Sequence, residues 1–389
     1  MRRIFFFVHS MNVGGVEQAL LGLLSVLPLD QWEIHVGMTH RRGGFLNLLP
    51  KAVKVHEIDC FSNYWRQIND PPMLIVKQNL KEGNFIGAFI HLFFYVHFKL
   101  TSSRYLFYKY ITRHDKGLNI NFDLAVAFAG PSSLIDYYVC EMITAKRKCG
   151  WIHFDVSKFG FDKKMTAQLY KKYNKIFIVS ETGKVIFDKL FPHFSSKTEV
   201  FHNIISQKQV VKLAETGPTF LDEFRGKRIL TVGRISEEKG QRVAIEALHK
   251  LLNKGYQIRW YFVGDGKDLE YCKKLSRELN TIKEVFFLGT QINPYGFMKD
   301  CDIYVQPSRH EGFCITLTEA LCFGHPIVAT DFTGAKEQLR NRSNGIVTGM
   351  SVEDIVSGLE KILINGCQEC QVQEIPAYNI KSFFDLLTD

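Results

Sequence analysis

Two glutamates eight residues apart, Glu311 and Glu319, mark the stretch of this 389-residue chain best equipped for chemistry. A strand predicted over Asp302–Gln306 ends at Pro307 and Ser308, and Gly312 then permits a sharp turn. A helix is expected from about Ile315 to Cys322, stopped by Gly324 and Pro326. Gly312 and Phe313 form the turn, and the free N–H groups of Cys314, Ile315 and Thr316 point out of the helix start. The helix dipole there favours an anion such as a diphosphate. Glu319 lies one turn further on, on the face shared with Ile315 and Thr316. At ~1.5 Å rise per residue it stands about 5–6 Å beyond such an anion, within reach of the hydroxyls of an attached ribose. Glu311 falls on the opposite side, where a sugar on the distal phosphate would project.

Two further glycine-punctuated turns follow predicted strands. Gly233-Arg234-Ile235-Ser236-Glu237-Glu238-Lys239-Gly240 comes directly after Arg228–Val232, and Asn12-Val13-Gly14-Gly15-Val16-Glu17 follows Ile4–Val8. In this order and on these elements, the three segments resemble the E-x7-E, G-R-x-x-x-x-K-G and glycine-rich first-turn motifs of the retaining GT-B glycosyltransferases of family 4. The resemblance runs from about Ile4 to Gly349, with residues 60–120 matching weakly. It implies an α/β fold of two Rossmann-like, doubly wound domains facing each other across a cleft. The first would span residues 1–205 and be completed by a C-terminal helix at 372–389; the second would span 206–371 and bind the nucleotide sugar.

Transfer of a sugar from a nucleoside diphosphate leaves negative charge on the phosphate, which must be stabilised. Arg234 offers a fixed fork and Lys239 a point charge at the carboxyl edge of a strand, where such sheets bind ligands. Together they can neutralise a diphosphate without a metal, so metal independence is expected. By resemblance, Gly14 and Gly15 approach the donor phosphates, and Asn12 lies with them on the acceptor side. His153, in Trp151-Ile152-His153-Phe154-Asp155, matches the active-site histidine that touches the donor sugar, and Asp155 is placed to assist the acceptor hydroxyl. Ser180-Glu181 and Asn203 end later strands and are candidates for lining the site. The loop from Gly289 to Pro294, with Gln291 inside it, matches the one that holds the donor's base, mostly through backbone groups; a UDP-sugar is expected as donor, with a GDP-sugar as the alternative. No cofactor is expected besides this substrate. Cys314 departs from the small or proline residue usual in relatives, and only its backbone N–H is needed. No carboxylate is marked as a covalent nucleophile, so a front-face displacement with retention is implied. Gly264-Asp265-Gly266 lacks the third glycine of a dinucleotide fingerprint.

Composition agrees with a packed globular protein: 46% apolar and 23% charged. The net charge of +9 is unevenly spread, with residues 1–200 at +10 and residues 201–389 at −1. No nucleic-acid motif accompanies the basic half, so an anionic membrane surface is the expected partner. No run of apolar residues is long enough to span a bilayer, and the start of the chain reads as a buried strand rather than a signal peptide. A cytoplasmic protein, peripheral on the inner face of the membrane, follows. The nine cysteines suit reduced thiols, and Cys367-Gln-Glu-Cys370 is a lone pair without further zinc ligands.

Apolar runs alternate with helical patterns. Strands are also expected at Glu33–Met38, Val53–Ile58, Leu124–Ala127, Cys149–His153, Lys175–Val179, Ile258–Val263, Glu284–Leu288, Ile327–Ala329 and Gly345–Val347. Helices are expected at Val16–Leu27, about Phe161–Tyr173, Gln241–Lys254, Leu269–Leu279 and Pro294–Lys299. A polar connection over Ser206–Lys227 would join the domains. Phe85–Tyr110, rich in aromatic and basic residues, suits one or two helices either buried against the sheet or sunk in a membrane interface to collect a lipid-linked acceptor. The function implied is transfer to a saccharide or lipid-linked acceptor in surface polysaccharide synthesis. The alternatives are a glycolipid or small-molecule glycosyltransferase, a glycosyl phosphorylase (for which no pyridoxal-phosphate lysine is marked) and an inactive binding subunit.

Overall fold

The computed structural model describes residues 1–158, 160–340, 342–365 and 380–387. The Cys367 and Cys370 pair lies outside them. Among the described residues the chain divides into two units, one built on Met1–Val179, Lys184–Phe201 and residues 380–387, the other on Ser180–Gly183 and residues 202–365.

The first unit holds a seven-stranded parallel sheet: β1 (Arg2–Val8), β2 (Trp32–Met38), β3 (Lys54–Glu57), β4 (Phe122–Gly130), β5 (Ala145–Ile152), β6 (Lys175–Ile178) and β7 (Thr198–Val200). Their order is β3-β2-β1-β4-β5-β6-β7. The central strands are apolar on both faces, as helices covering a parallel sheet require. Phe5 and Phe7 of β1 enter one layer with Phe122, Tyr138 and Phe61. Phe6 points to the other layer and stacks on Phe383 at 6.1 Å. Phe383 belongs to the Ile380–Asp385 helix, whose Phe384 meets Trp32 edge-on at 5.2 Å. The C-terminal helix thus closes the face of the first sheet.

The second unit holds six parallel strands: β8 (Lys227–Val232), β9 (Ile258–Val263), β10 (Val285–Phe287), β11 (Ile303–Gln306), β12 (Ile327–Thr330) and β13 (Gly345–Thr348), in the order β10-β9-β8-β11-β12-β13. Ala244, Ile245, Leu248 and Leu251 of the Gln241–Asn253 helix pack with Ile355 and Leu359 of the Val352–Asn365 helix over Ile229, Trp260 and Val305.

The structure adds detail to two segments. The polar connection at Ser206–Lys227 is not a bare linker: a Gln207–Ala214 helix, capped by the Ser206 hydroxyl, buries Val210 and Ala214 at i,i+4 spacing within the second unit. The first unit's long run ends at Phe201, and His202 begins the second unit's. The aromatic Phe85–Tyr110 segment divides between the two readings open for it. It forms a helix, Phe85–Thr101, in which Ala88 is the one buried residue among those described, followed by Tyr105–Ile111. Tyr105–Ile111 buries Phe107, Tyr108 and Ile111 and takes the place expected beside the core.

Candidate active site

The second sheet reverses its strand order between β8 and β11, and the loops leaving these two strands carry the motif side chains. After β8 the chain passes Gly233 and exposed Arg234, then buries Ile235 completely. Gln241 braces this loop: Nε2 donates to the Arg234 carbonyl at 3.0 Å and Oε1 accepts from the Ser236 amide at 3.3 Å. Gly240 has φ +75, and a Cβ there would stand 1.9 Å from the Pro307 carbonyl oxygen. Only glycine lets the first loop lie against the second. The Glu238 carbonyl then accepts the amides of Arg309 at 2.8 Å and His310 at 3.4 Å, fastening the loops together.

That approach makes one ion pair of two motifs. Lys239 Nζ lies 2.6 and 2.7 Å from the two carboxylate oxygens of Glu311. Glu311 is buried, and a line of donors leads to it. The Tyr304 hydroxyl donates to Gln306 Oε1 at 2.7 Å, Gln306 Nε2 to Ser308 Oγ at 2.8 Å, and Ser308 Oγ to Glu311 Oε1 at 2.7 Å. Burial alone would lower the Lys239 ammonium, but the Glu311 carboxylate outweighs it and the net shift is upward, so Lys239 stays charged. Arg234 is close enough for its charge to oppose that of Lys239, and among the described residues no ion pair engages its guanidinium. The result is a cationic patch with one charge committed and one open.

Glu319 is buried, and the Tyr295 hydroxyl donates to its Oε1 at 2.7 Å. Burial and then the neighbouring carboxylate push the Tyr295 phenol well up, so it remains the donor. The helix begins at Ile315 and ends at Ala320. Cys314 caps it at φ 70 and ψ 81, a left-handed conformation rare for a side chain with a Cβ. Its carbonyl accepts the amides of Leu317 at 3.2 Å and Thr318 at 3.4 Å. Among the described residues no protein acceptor meets the amides of Ile315 and Thr316. Burial pushes the Cys314 thiol up, so it is no nucleophile. Gln338 holds the Gly312-Phe313 turn from behind, Nε2 donating to the Phe313 carbonyl. Gln291 is half-buried and bonds its own loop, Nε2 to the Leu288 carbonyl at 2.8 Å.

In the first unit, Asn12 is exposed and Gly14 caps the Gly15–Leu24 helix in an extended conformation. A Cβ on Gly15 would meet no heavy atom within 4 Å, so its backbone faces open space. His153 follows β5, its ring 4.7 Å from Phe128 and parallel to Trp151. Its Nε2 is buried with no partner among the described residues. Burial lowers its pKa to about 3, so the imidazole is neutral. Asp155 is buried and accepts from the Ser157 amide at 2.8 Å and hydroxyl at 2.6 Å. Ser180 is buried, with its hydroxyl accepting the Gly183 amide at 3.1 Å, and Asn203 is buried as well.

Tyr295, Ser308 and Gln306 escape a reading of the sequence, because partners 24, 3 and 5 residues from a motif glutamate have no fixed relation to it until the loops fold. So does His202, stacked on Phe313 at 5.2 Å and bonded to Glu337 at 2.6 Å. His9 and Ser132, 3.3 Å apart, did leave a signal: both lie within two residues of the ends of β1 and β4, where the first sheet reverses.

Residues 223–380 match the family described as Glycosyl transferases group 1. An uncharacterized glycosyltransferase of Methanocaldococcus jannaschii is 30% identical over 190 residues, 47% of this chain and 47% of that protein, so the match spans about half of its length. The N-acetylgalactosamine-N,N'-diacetylbacillosaminyl-diphospho-undecaprenol 4-alpha-N-acetylgalactosaminyltransferase of Campylobacter jejuni is 24% identical over 374 residues, 93% of this chain and 90% of that one. Among solved structures, HepE of Anabaena in complex with UDP-glucose superposes with a TM-score of 0.68 at 17% identity, covering 94% of this chain and 90% of that one. Each unit carries the Rossmann-like parallel sheet of the GT-B fold. The similarity to the glycosyl transferases group 1 family is confined to residues 223–380, within the second unit and its C-terminal continuation.

Proposed function

We propose that the protein is a retaining hexosyltransferase that takes a sugar from a nucleoside diphosphate donor and passes it to a saccharide or lipid-linked acceptor. The observation that carries this reading is the Lys239–Glu311 pair joining the β8 and β11 loops at the strand-order reversal, with the Arg234 guanidinium unpaired among the described residues. A diphosphate there meets Arg234 and Lys239, the two charges that a divalent ion would otherwise supply, so the reaction is metal-independent. Glu319, held by Tyr295, takes the ribose hydroxyls, and Glu311, oriented by Ser308, faces the sugar. Within the first unit, His153, Gly14 and Gly15 are assigned to donor contacts and Asn12 and Asp155 to acceptor contacts.

Bond changes balance without a covalent enzyme intermediate. The anomeric carbon–phosphate oxygen bond breaks, the acceptor oxygen bonds on the same face, and its proton passes to the departing diphosphate. The UDP-glucose complex of HepE supports a UDP-sugar as donor, with a GDP-sugar as the alternative. The diphospho-undecaprenol substrate in the name of the Campylobacter relative supports a lipid-linked acceptor, assembly of a surface polysaccharide and work at the inner face of the cytoplasmic membrane.

The test is a thermal-shift panel of UDP-, GDP-, ADP- and CMP-sugars followed by slow donor hydrolysis, each with and without EDTA. One nucleotide class should raise the melting temperature and be hydrolysed in both conditions. No shift and no hydrolysis with any donor refutes the enzyme reading, and loss of hydrolysis with EDTA refutes metal independence.

A further inference from the structure

The Phe85–Thr101 helix leaves Phe85, Ile86, Phe89, Leu92, Phe93, Val96 and Leu100 exposed, Ile86 at 76% and Leu100 at 80%. At 100° per residue these seven positions fall in one arc of about 120°, and no other residue of the helix falls in it. The arc is therefore wholly apolar, and at ~1.5 Å per residue it is about 22 Å long. Phe94, on the far side, attaches the helix to the fold through Phe107 at 5.6 Å and Tyr110 at 5.2 Å. The preceding Pro72–Lys81 helix adds exposed Met73, Leu74 and Leu80. A contiguous exposed apolar strip of this size marks a binding surface rather than ordinary surface composition.

Charge identifies what covers it. Residues 71–116 carry seven Lys and Arg against two Asp and Glu. Lys99 flanks the arc itself and lies 5.6 Å from the Tyr95 ring. At the C-terminal end of the helix, on the side of Phe98, opposite the arc, a recess of about 640 Å³ is lined by Phe98, Ser102, Arg104, Phe161, Lys163 and Lys164. Asp162 lines it too, but its carboxylate is occupied by the backbone amides of Arg104 at 2.6 Å and Met165 at 2.8 Å. A protein partner could meet the apolar strip, but an apolar strip flanked by Lys99 on a segment with this basic excess suits a surface with acyl chains beneath anionic headgroups. Among the described residues no helix is long and apolar enough to cross a membrane, so this one would lie along it.

We infer that the Phe85–Thr101 helix is an interfacial docking element that seats its apolar arc in an anionic lipid bilayer, with Lys99 at the headgroup phosphates and the charges of Arg104, Lys163 and Lys164 adding to the attraction. The inference names the membrane-facing surface of the proposed transferase, but it does not depend on which sugar is moved or on whether any is.

Flotation of the full chain with vesicles of phosphatidylcholine alone, or with roughly a third phosphatidylglycerol, tests it. The protein should float with the anionic vesicles, bind more weakly as salt rises, and lose at least ~10-fold in bound fraction on the double substitution Phe89→Glu/Phe93→Glu. Lys163→Glu/Lys164→Glu should reduce the preference for anionic vesicles. Donor hydrolysis without lipid, unchanged in the Phe89/Phe93 variant, shows that the variant is folded and reports on the transferase reading separately. The inference is overturned if the wild type ignores anionic vesicles or the Phe89/Phe93 variant binds as well as wild type. It is also overturned if sedimentation shows a wild-type dimer that the variant dissolves, for then a second copy covers the strip.

Discussion

The Lys239–Glu311 pair permits a quantitative test, because its two members are unequally buried. Their side chains are 27% and 8% exposed respectively. Removing one partner of a fully buried pair costs about 3–5 kcal/mol, because the survivor is left charged and unpaired. In Lys239→Met the survivor is the more buried carboxylate, with the Ser308 hydroxyl as a remaining donor. That variant should lose about 2–3 kcal/mol, somewhat less than the fully buried limit. In Glu311→Gln the surviving ammonium can turn to water, so the loss should be about 1–2 kcal/mol. The double variant leaves no uncompensated charge and should be more stable than the sum of the single losses by about 1–3 kcal/mol. Urea unfolding of the four proteins measures this cycle. Single effects that add to within about 0.5 kcal/mol would show that the two groups do not interact, whatever their separation. An order of severity opposite to the one given would refute the burial argument. Donor hydrolysis adds a second readout: if the double variant regains stability but not turnover, the pair serves the leaving diphosphate as well as the fold.

Other perturbations test the rest of the site. Glu319→Ala should weaken nucleotide binding by about 1.5–3 kcal/mol in calorimetry, as for lost charge-assisted hydrogen bonds, and Tyr295→Phe should weaken it less; unchanged affinity in Glu319→Ala excludes the ribose role. His153 has its pKa depressed from 6.5 to about 3, so its stability contribution is complete above about pH 6.5 and is lost as pH falls toward 3. His153→Phe should remove that dependence, up to about 1.4 kcal/mol per pH unit in the window, and urea midpoints at pH 8 and pH 5 that shift alike in both proteins would contradict it. Cys314→Gly should relieve the left-handed backbone by about 1 kcal/mol and raise the melting temperature by roughly 2–4 °C; a lower one means that the thiol's packing matters more than the strain.

Much of this protein was written locally. Ile258–Val263 is a strand and Gln241–Asn253 a helix because apolar periodicity and flanking glycines are properties of neighbouring residues, and the same is true of the turn at Gly312 and the helix start at Ile315. The resemblance of three ordered motifs was likewise legible along the chain. What tertiary structure alone decided is which distant groups meet. Lys239 and Glu311 are 72 residues apart, and they pair only because Gly240 lets one loop rest on the Pro307 carbonyl of another. Tyr295 reaches Glu319 in the same way, through the packing of two helices that periodicity could place but not orient. The Phe85–Thr101 helix shows the converse: its composition left burial and a membrane interface both open, and only the folded chain shows an apolar face turned away from the core. Burial and partner choice depend on the three-dimensional arrangement of the sheets, and that arrangement is set by the whole chain rather than by any local run of residues.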